Sequence, residues 1–369
     1  MGTVSDLLGG SPPRKARRVS LAVREVLSER HTEFGGDYGF VVGVSGGADS
    51  LALTVAAADV AERAEIPYSA LVVDHAMRRE SAEEARSVVE YLHRLGVANA
   101  KVLTVEKQGC NQGVASPEAT ARSVRHELLE AEARSWGADL QQVDVLLGHT
   151  MDDQAETVLL RLARGSGAGS ISAMEPVLGL DRLGENPRIA RVRPLLSVRR
   201  SDTEAFCSSL SLKVVEDPTN RMDGPWQTKS GEPLPRAAVR GTVLPALAAA
   251  LGQDPVPALA RTAELARQDD TALEEWAESI VGEHLIADGQ GSSIPLYVLA
   301  SLPRAVKTRV LVRVAALARV TGLNFHQVRS LEQLVNSAKN AAGDQRIVDL
   351  PGGFVATRTD GNLQIRRAD

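Results

Sequence analysis

The stretch Ser45-Gly46-Gly47-Ala48-Asp49-Ser50 constrains this chain more than any other. It follows an apolar run, Phe40-Val41-Val42-Gly43-Val44, and opens onto Leu51-Ala52-Leu53-Thr54-Val55-Ala56-Ala57-Ala58. That order reads as a strand, a tight glycine loop and a helix N-terminus. Two adjacent glycines let the backbone approach an anion closely. The helix start supplies free N–H groups and the positive end of a dipole. Ser45 and Ser50 add hydroxyls. Asp49 is the odd member, because a carboxylate repels phosphate unless a cation lies between them. The loop therefore implies a nucleotide bound through its phosphates with Mg²⁺, and Asp49 as the metal ligand.

The spacing excludes commoner phosphate loops. No G-x-x-x-x-G-K-[ST] is present, and the loop has no lysine. Gly165-Ser166-Gly167-Ala168-Gly169 lacks the spacing of a dinucleotide fingerprint and follows a helix-like run, so it reads as a helix stop.

Around the loop, strand-like runs at 40–44, 70–73, 102–105 and 143–147 alternate with helix-like runs at 51–63, 82–95, 118–136 and 153–164. Such alternation predicts an α/β fold, a parallel sheet with helices on both faces. Ligands then bind beyond the strand C-terminal ends, where each motif lies. The 369 residues suit two domains. We expect an N-terminal extension over 1–37, a catalytic domain over 38–240, and a smaller helical and α+β C-terminal domain over 241–369. Residues 179–191 read as turns, 222–235 as a surface loop, and 256–285, 306–320 and 325–337 as helices. Short strands are expected at 347–350, 354–357 and 363–365.

Composition narrows the function. Apolar residues make up 43% but aromatics only 3%, so the core must be aliphatic, and a stacking platform for RNA is disfavoured. The two cysteines, Cys110 and Cys207, form no C-x-x-C pair, which argues against zinc, iron–sulfur clusters and a disulfide framework and fits the cytoplasm. No signal peptide or membrane span is expected. The net charge of −5 does not mark a nucleic-acid binder. Yet from Ser301 to Asp369 there are eleven Lys or Arg against five Asp or Glu, leaving about −11 for the remainder. A basic C-terminal module on an acidic body suits a polyanionic partner; a solvated helix face explains it equally well.

Three further groups carry chemistry. Asp74 and His75 end the second strand, over the same sheet edge as the loop, and could shape a nucleotide pocket or simply cap it. Arg122 and Arg125 share a helix face and could hold phosphate, although taken alone the pair reads better as a solvated helix face. The densest cluster is Gly148-His149-Thr150-Met151-Asp152-Asp153-Gln154-Ala155-Glu156-Thr157. Asp152 or Asp153 is a natural N-cap, but Asp153 and Glu156 also point the same way. Two like carboxylates need a cation between them, either Mg²⁺ or a substrate ammonium, and could take a proton from an amine.

Together these pieces resemble the tRNA(Ile)-lysidine synthetases of the PP-loop family. The match runs in order through residues 45–50, Asp74-His75-x-x-Arg78, Ala121-Arg122-x-x-Arg125 and the His149 cluster with Arg164-Gly165-Ser166-Gly167. It continues through Arg193-Pro194-Leu195-Leu196 and Glu216-Asp217-Pro218-Thr219-Asn220, with a looser likeness at Leu350-Pro351-Gly352-Gly353. The chain departs from the family pattern at His126, where Tyr or Phe is usual, and at Arg236-Ala237-Ala238-Val239-Arg240, where an Asn is usual. The family often has a larger C-terminal domain, so a short form is expected.

The resemblance implies a Rossmann-like PP-loop ATPase and a ligase that joins free L-lysine to the wobble cytidine of a CAU-anticodon tRNA(Ile). ATP is split to AMP and pyrophosphate through an adenylated cytidine. It assigns phosphate binding to Ser45, Gly46, Gly47, Ala48, Asp49 and Ser50, and nucleotide contacts to Asp74 and His75. Catalytic roles fall to Asp49, Arg122, Arg125, His149, Asp153 and Glu156, with Asp153 and Glu156 holding the lysine ammonium. RNA contacts fall to Arg164, Arg193, Arg236 and Arg240. A homodimer is left open. The rival readings are a tRNA-thiolating PP-loop enzyme, which needs a catalytic cysteine or cluster, and a non-catalytic nucleotide-binding RNA binder.

Overall fold

A computed structural model describes residues 3–9, 13–74, 81–105, 117–165, 167–180, 187–215, 232–288, 291–337 and 347–368. His75, Arg78, Cys110, the 216–220 motif and most of the 222–235 loop lie outside the described residues.

The chain divides into two compact units, Met1–Ala263 and Glu264–Asp369. The sequence reading had placed a boundary at 240 and set 1–37 apart. In the structure the N-terminal helices α1 (Val4–Leu8) and α2 (Arg17–Phe34) share one apolar core with β1 (Tyr38–Val44) and α3 (Ala48–Ala64).

The first unit holds a six-stranded sheet in the order β3-β2-β1-β4-β6-β5. Its strands are β1, β2 (Tyr68–Asp74), β3 (Ala100–Thr104), β4 (Gln142–Leu146), β5 (Val177–Gly179) and β6 (Arg188–Val192). All pairs are parallel except β5 with β6. Strand alternation splits the core in two. Phe40, Val42 and Val44 face α2 and α3, whereas Val41 joins Leu129 and Ala133 of α5 (Pro117–Trp136) on the other face. Few aromatics are available, so close helix approach relies on small residues. Ala52, Ala56, Ala57, Ala58 and Ala61 of α3 are all buried. Buried Asp144 of β4 accepts both Arg30 bonds at 2.8 Å, with Tyr38 Oη at 3.0 Å and Gln142 Nε2 at 2.7 Å, pinning α2 to the sheet. Removing either partner of this pair should cost about 3–5 kcal/mol.

Strand β6 begins within 179–191, where the sequence reads as turns, and β5 ends at the first residue of that segment. Arg188 and Arg191 hide the apolar alternation of β6, and pairing with β4 supplies what the local pattern lacks. Helices α4 (Ser81–Arg94), α6 (Met151–Leu162), α7 (Ala168–Ile171) and α8 (Arg200–Ser209) complete the layers; α9 (Pro235–Ala238) and α10 (Leu244–Leu251) lead to α11 (Val256–His284).

The second unit contains an antiparallel sheet, β7-β8-β11-β10-β9, over Ile286–Asp288, Gly291–Pro295, Asn362–Arg367, Phe354–Thr359 and Val348–Leu350 respectively. It packs with α12 (Leu296–Ser301), α13 (Arg304–Leu317) and α14 (Phe325–Asn336) around Val310, Leu331 and Ile365. The sequence reading missed β7, β8 and α12, which are short and polar at their edges. The basic surplus also reads differently here. Arg309 pairs with Asp270 and Glu274, and Arg313 with Glu274, all within the unit. Over Glu264–Asp369 there are 12 Lys or Arg and 13 Asp or Glu, so the folded unit is nearly neutral.

No single helix among the described residues is long and apolar enough to cross a membrane. Pro235–Leu251 with Val256–His284 meets that test only as a pair bent by 101°.

Candidate active site

The 45–50 loop connects the C-terminal end of β1 to α3. Gly46 has φ +84°, a conformation that costs a side-chain-bearing residue free energy. Its carbonyl accepts from Val215 N at 3.0 Å. Ser50 ties the turn together: its Oγ accepts from Ser45 N at 3.1 Å and donates to the Gly47 carbonyl at 3.0 Å. Gly47 occupies the N-cap and offers no side-chain cap, so the first amides of α3 are left for an anion. A second strand end abuts this loop. A Cβ at Gly148 would lie 3.1 Å from the backbone of Asp49 and Ser50, so only glycine allows that approach. These features fit the phosphate chain of a nucleotide.

Asp49 turns from the loop toward α8. One carboxylate oxygen accepts from Thr203 Oγ1 and the other from Arg200 Nε at 3.3 Å. Burial raises its pKa, against the pull of Thr203 and Arg200. Among the described residues no three metal-ligating side chains come together. With both Asp49 oxygens engaged, the described residues do not form a protein-built Mg²⁺ site.

The acidic face of α6 is organised by a cap. Thr150 is the N-cap, and Asp153 Oδ2 accepts from its N and Oγ1, both at 2.8 Å. Neither aspartate is itself the N-cap. Asp153 closes the turn with one oxygen and meets a cation with the other, Arg200 Nη2 at 2.9 Å. Asp152 turns aside to Arg199, at 3.1 and 3.0 Å. Glu156 is fully buried and held by Arg240 at 2.7 and 3.1 Å, with Arg200 Nη1 at 3.3 Å. The cation demanded by the Asp153/Glu156 pair is therefore supplied by the protein itself. Arg240, expected on RNA, is spent on Glu156.

Burial alone would raise the Asp153 pKa. Arg200 and the two Thr150 bonds outweigh it and lower the pKa to about 2. A carboxylate so acidic is a poor acceptor for an ammonium proton. That weighs against the expectation of a base at this position.

A cationic group adjoins this acidic one. Arg122 Nη2 lies 2.9 Å from His149 Nε2. A guanidinium only donates, so Nε2 is the acceptor and the proton sits on Nδ1, which is enclosed without a partner among the described residues. Burial and Arg122 drive the His149 pKa well below its ordinary value, so the ring is neutral. Arg193 is 7% exposed; its Nη1 donates to the Glu175 carbonyl at 2.5 Å and its Nε has no partner among the described residues. Arg193 thus faces the interior and does not present its guanidinium to an RNA surface. Burial with Arg236, Arg125 and Arg193 lowers Arg122 to about 10. Arg236 reaches Thr157 Oγ1 at 3.4 Å. Arg164 is exposed just beyond α6. Asp74 ends β2 buried, accepting from Ser81 Oγ at 2.5 Å.

Sequence reasoning missed Arg199, Arg200 and Thr203. The signal was the Arg199-Arg200 pair five residues past Pro194, directly before a helix opening with Ser201 and Asp202.

A parallel sheet with a glycine loop feeding a helix, and charged groups above its strand ends, defines a nucleotide-binding protein of the PP-loop class. Comparison agrees: a PP-loop domain model matches residues 20–247. A solved U34-tRNA thiolase, NcsA from Methanococcus maripaludis with its [4Fe-4S] cluster, shares the fold at TM-score 0.52 and 16% identity, covering 69% of this chain and 80% of that one. A curated tRNA(Ile)-lysidine synthase of Streptomyces coelicolor is 39% identical, covering 89% of this chain and 85% of its own. Another, from Thermobifida fusca, is 38% identical over 95% of this chain and 98% of its own. The chain belongs to the tRNA(Ile)-lysidine synthase family.

Proposed function

We propose that the chain carries out its family's reaction, ATP-dependent lysidine formation on tRNA(Ile), with the labour divided between the two charged groups. The observation that carries this division is their adjacency at the N-terminus of α6, beside the phosphate loop. ATP lies with its phosphates on residues 45–50, over the uncapped amides of α3. Any Mg²⁺ is held chiefly by the phosphates that bring it, with Asp49 the loop's single carboxylate. The wobble cytidine of a CAU-anticodon tRNA(Ile) presents its base oxygen to the α-phosphorus, and pyrophosphate leaves. Arg122, Arg125, Arg193 and Arg236 surround the developing negative charge, and the His149 Nδ1–H offers a donor in a fixed direction.

Free L-lysine then enters over Asp153 and Glu156. Its ε-amine has an ordinary pKa of about 10.4, so it arrives as ammonium. The carboxylates anchor that ion. Once the ammonium has lost a proton to solvent, the amine attacks carbon-2 of the base, the carbon-2–oxygen bond breaks, and AMP departs with the former base oxygen.

Cys207 argues against the thiolating alternative. It is buried under the loop with Sγ 3.5 Å from the Ala48 carbonyl, and burial with Asp49 pushes its pKa up to about 12, so it stays a thiol. Arg164 remains the exposed candidate for RNA. A cytoplasmic location fits a tRNA substrate.

Incubation with ATP, Mg²⁺, labelled lysine and a CAU-anticodon tRNA(Ile) transcript tests the reading. Digestion should release a nucleoside heavier than cytidine by one lysine residue. ATP-dependent pyrophosphate release without lysine incorporation would overturn the choice of nucleophile.

A further inference from the structure

Three arginines of this unit grip a carboxylate side-on, and one near them does not. Arg30 on Asp144, Arg199 on Asp152 and Arg240 on Glu156 each grip one carboxylate with two bonds. Arg200 does not. Its Nε meets Asp49 at 3.3 Å, its Nη1 meets Glu156 at 3.3 Å, and its Nη2 meets Asp153 at 2.9 Å. Its own N–H donates to Asp152 at 2.8 Å, fixing the start of α8 against α6. One guanidinium is thus spread over three carboxylates, two of the contacts are long, and no side-on pair forms. Side-on pairs are the strong ones. Arg200 is therefore anchored by its main chain and held loosely by its head.

The carboxylates it bridges belong to two sites. Asp49 sits in the phosphate loop, and Asp153 and Glu156 form the amine cradle. We propose that Arg200 is the resident counter-ion of that cradle and a positioning residue that exchanges with the lysine ammonium when nucleotide occupies the loop. This rests on the reading that Asp153 and Glu156 hold lysine.

The exchange follows from ordinary electrostatics. Without ligands, the carboxylates need a cation, and Arg200 supplies it. ATP brings phosphate oxygens next to Asp49, and phosphate is a better bidentate partner for a guanidinium than three shared carboxylates. Turning toward the phosphates leaves Asp153 Oδ1 with only the distant Arg240 Nη2, at 3.7 Å and already gripping Glu156, so an ammonium can take the closer place. Linkage makes the effect reciprocal, so nucleotide tightens lysine and lysine tightens nucleotide. Amine binding is thereby favoured only when the adenylating half of the site is charged.

The test is equilibrium dialysis of labelled lysine with and without an α,β-methylene ATP analogue, which cannot release pyrophosphate. For the unmodified protein the analogue should tighten lysine by about tenfold. Arg200→Ala should bind lysine tightly without the analogue, and free guanidinium ion should compete with lysine there and restore the analogue's effect. Arg200→Lys keeps the charge but cannot span three carboxylates, so it should show a reduced dependence; it also serves if the alanine variant does not fold. Lysine affinity and analogue dependence unchanged in both variants would overturn the exchange. Asp153→Asn separates the two ideas: if it binds lysine as the unmodified protein does, the cradle reading itself fails.

Discussion

Two charged groups meet at the start of α6, and they are completed to different degrees. On the acidic one, Asp49, Asp152, Asp153 and Glu156 each accept from an arginine. On the cationic one, Arg193 Nε and His149 Nδ1 are enclosed without partners among the described residues, and Arg122 faces a neutral imidazole. Burying charge without a counter-ion is costly. A site that tolerates it on one side only is built for a ligand on that side to complete. The anion must come from the substrates, whereas the cation is already present and must be exchanged.

The largest test of that contrast is Arg193→Met. It removes a buried charge that has one carbonyl bond but no ion pair among the described residues, so the melting temperature should stay level or rise. Lysidine formation should nevertheless fall on the order of a hundredfold. A parallel loss of stability and activity would show that Arg193 is only structural. Gly148→Ala comes next. Its Cβ would press on the backbone of Asp49 and Ser50. Overpacking of that kind costs about 1–3 kcal/mol, and it should raise the KM for ATP by roughly tenfold with little change for lysine. An equal effect on both substrates would break the separation of the two groups.

A smaller test uses acid. Burial and Arg191, then Arg122 and its neighbours, depress the His126 pKa from 6.5 to about 3. The unfolded chain therefore binds more protons than the folded one in that window, and stability falls as pH drops below about 6.5. Asp153, lowered from 3.8 to about 2, adds a loss only below about 4. His126→Asn should reduce, though not abolish, the slope of the melting-temperature profile between about pH 6.5 and pH 4, because the depressed His149 titrates in the same direction. An unchanged slope would mean that the cationic group does not repel a proton there.

Much of this was legible in the sequence. The glycine loop, four parallel strands and the α6 cluster stand out because period and punctuation agree. The acidic pair also announced its need for a cation. What it could not announce was the donor, since Arg200 lies 44 residues beyond Glu156 and only the docking of α8 brings it there. Arg193 read as an RNA contact because sequence shows its charge and hides its burial. The C-terminal surplus read as a polyanion site because its partners, Asp270 and Glu274 on α11, lay outside the window that was counted. Strand β6 was invisible for a related reason: its register against β4 is a tertiary property.

The central claim is that the acidic group serves lysine and the cationic group serves the anionic half-reaction. Single-turnover reactions with Asp153→Asn, following adenylated tRNA and lysidine in the same samples, test it most directly. The account predicts that adenylated tRNA accumulates while lysine transfer slows by about a hundredfold or more. Equal loss of both steps would contradict it.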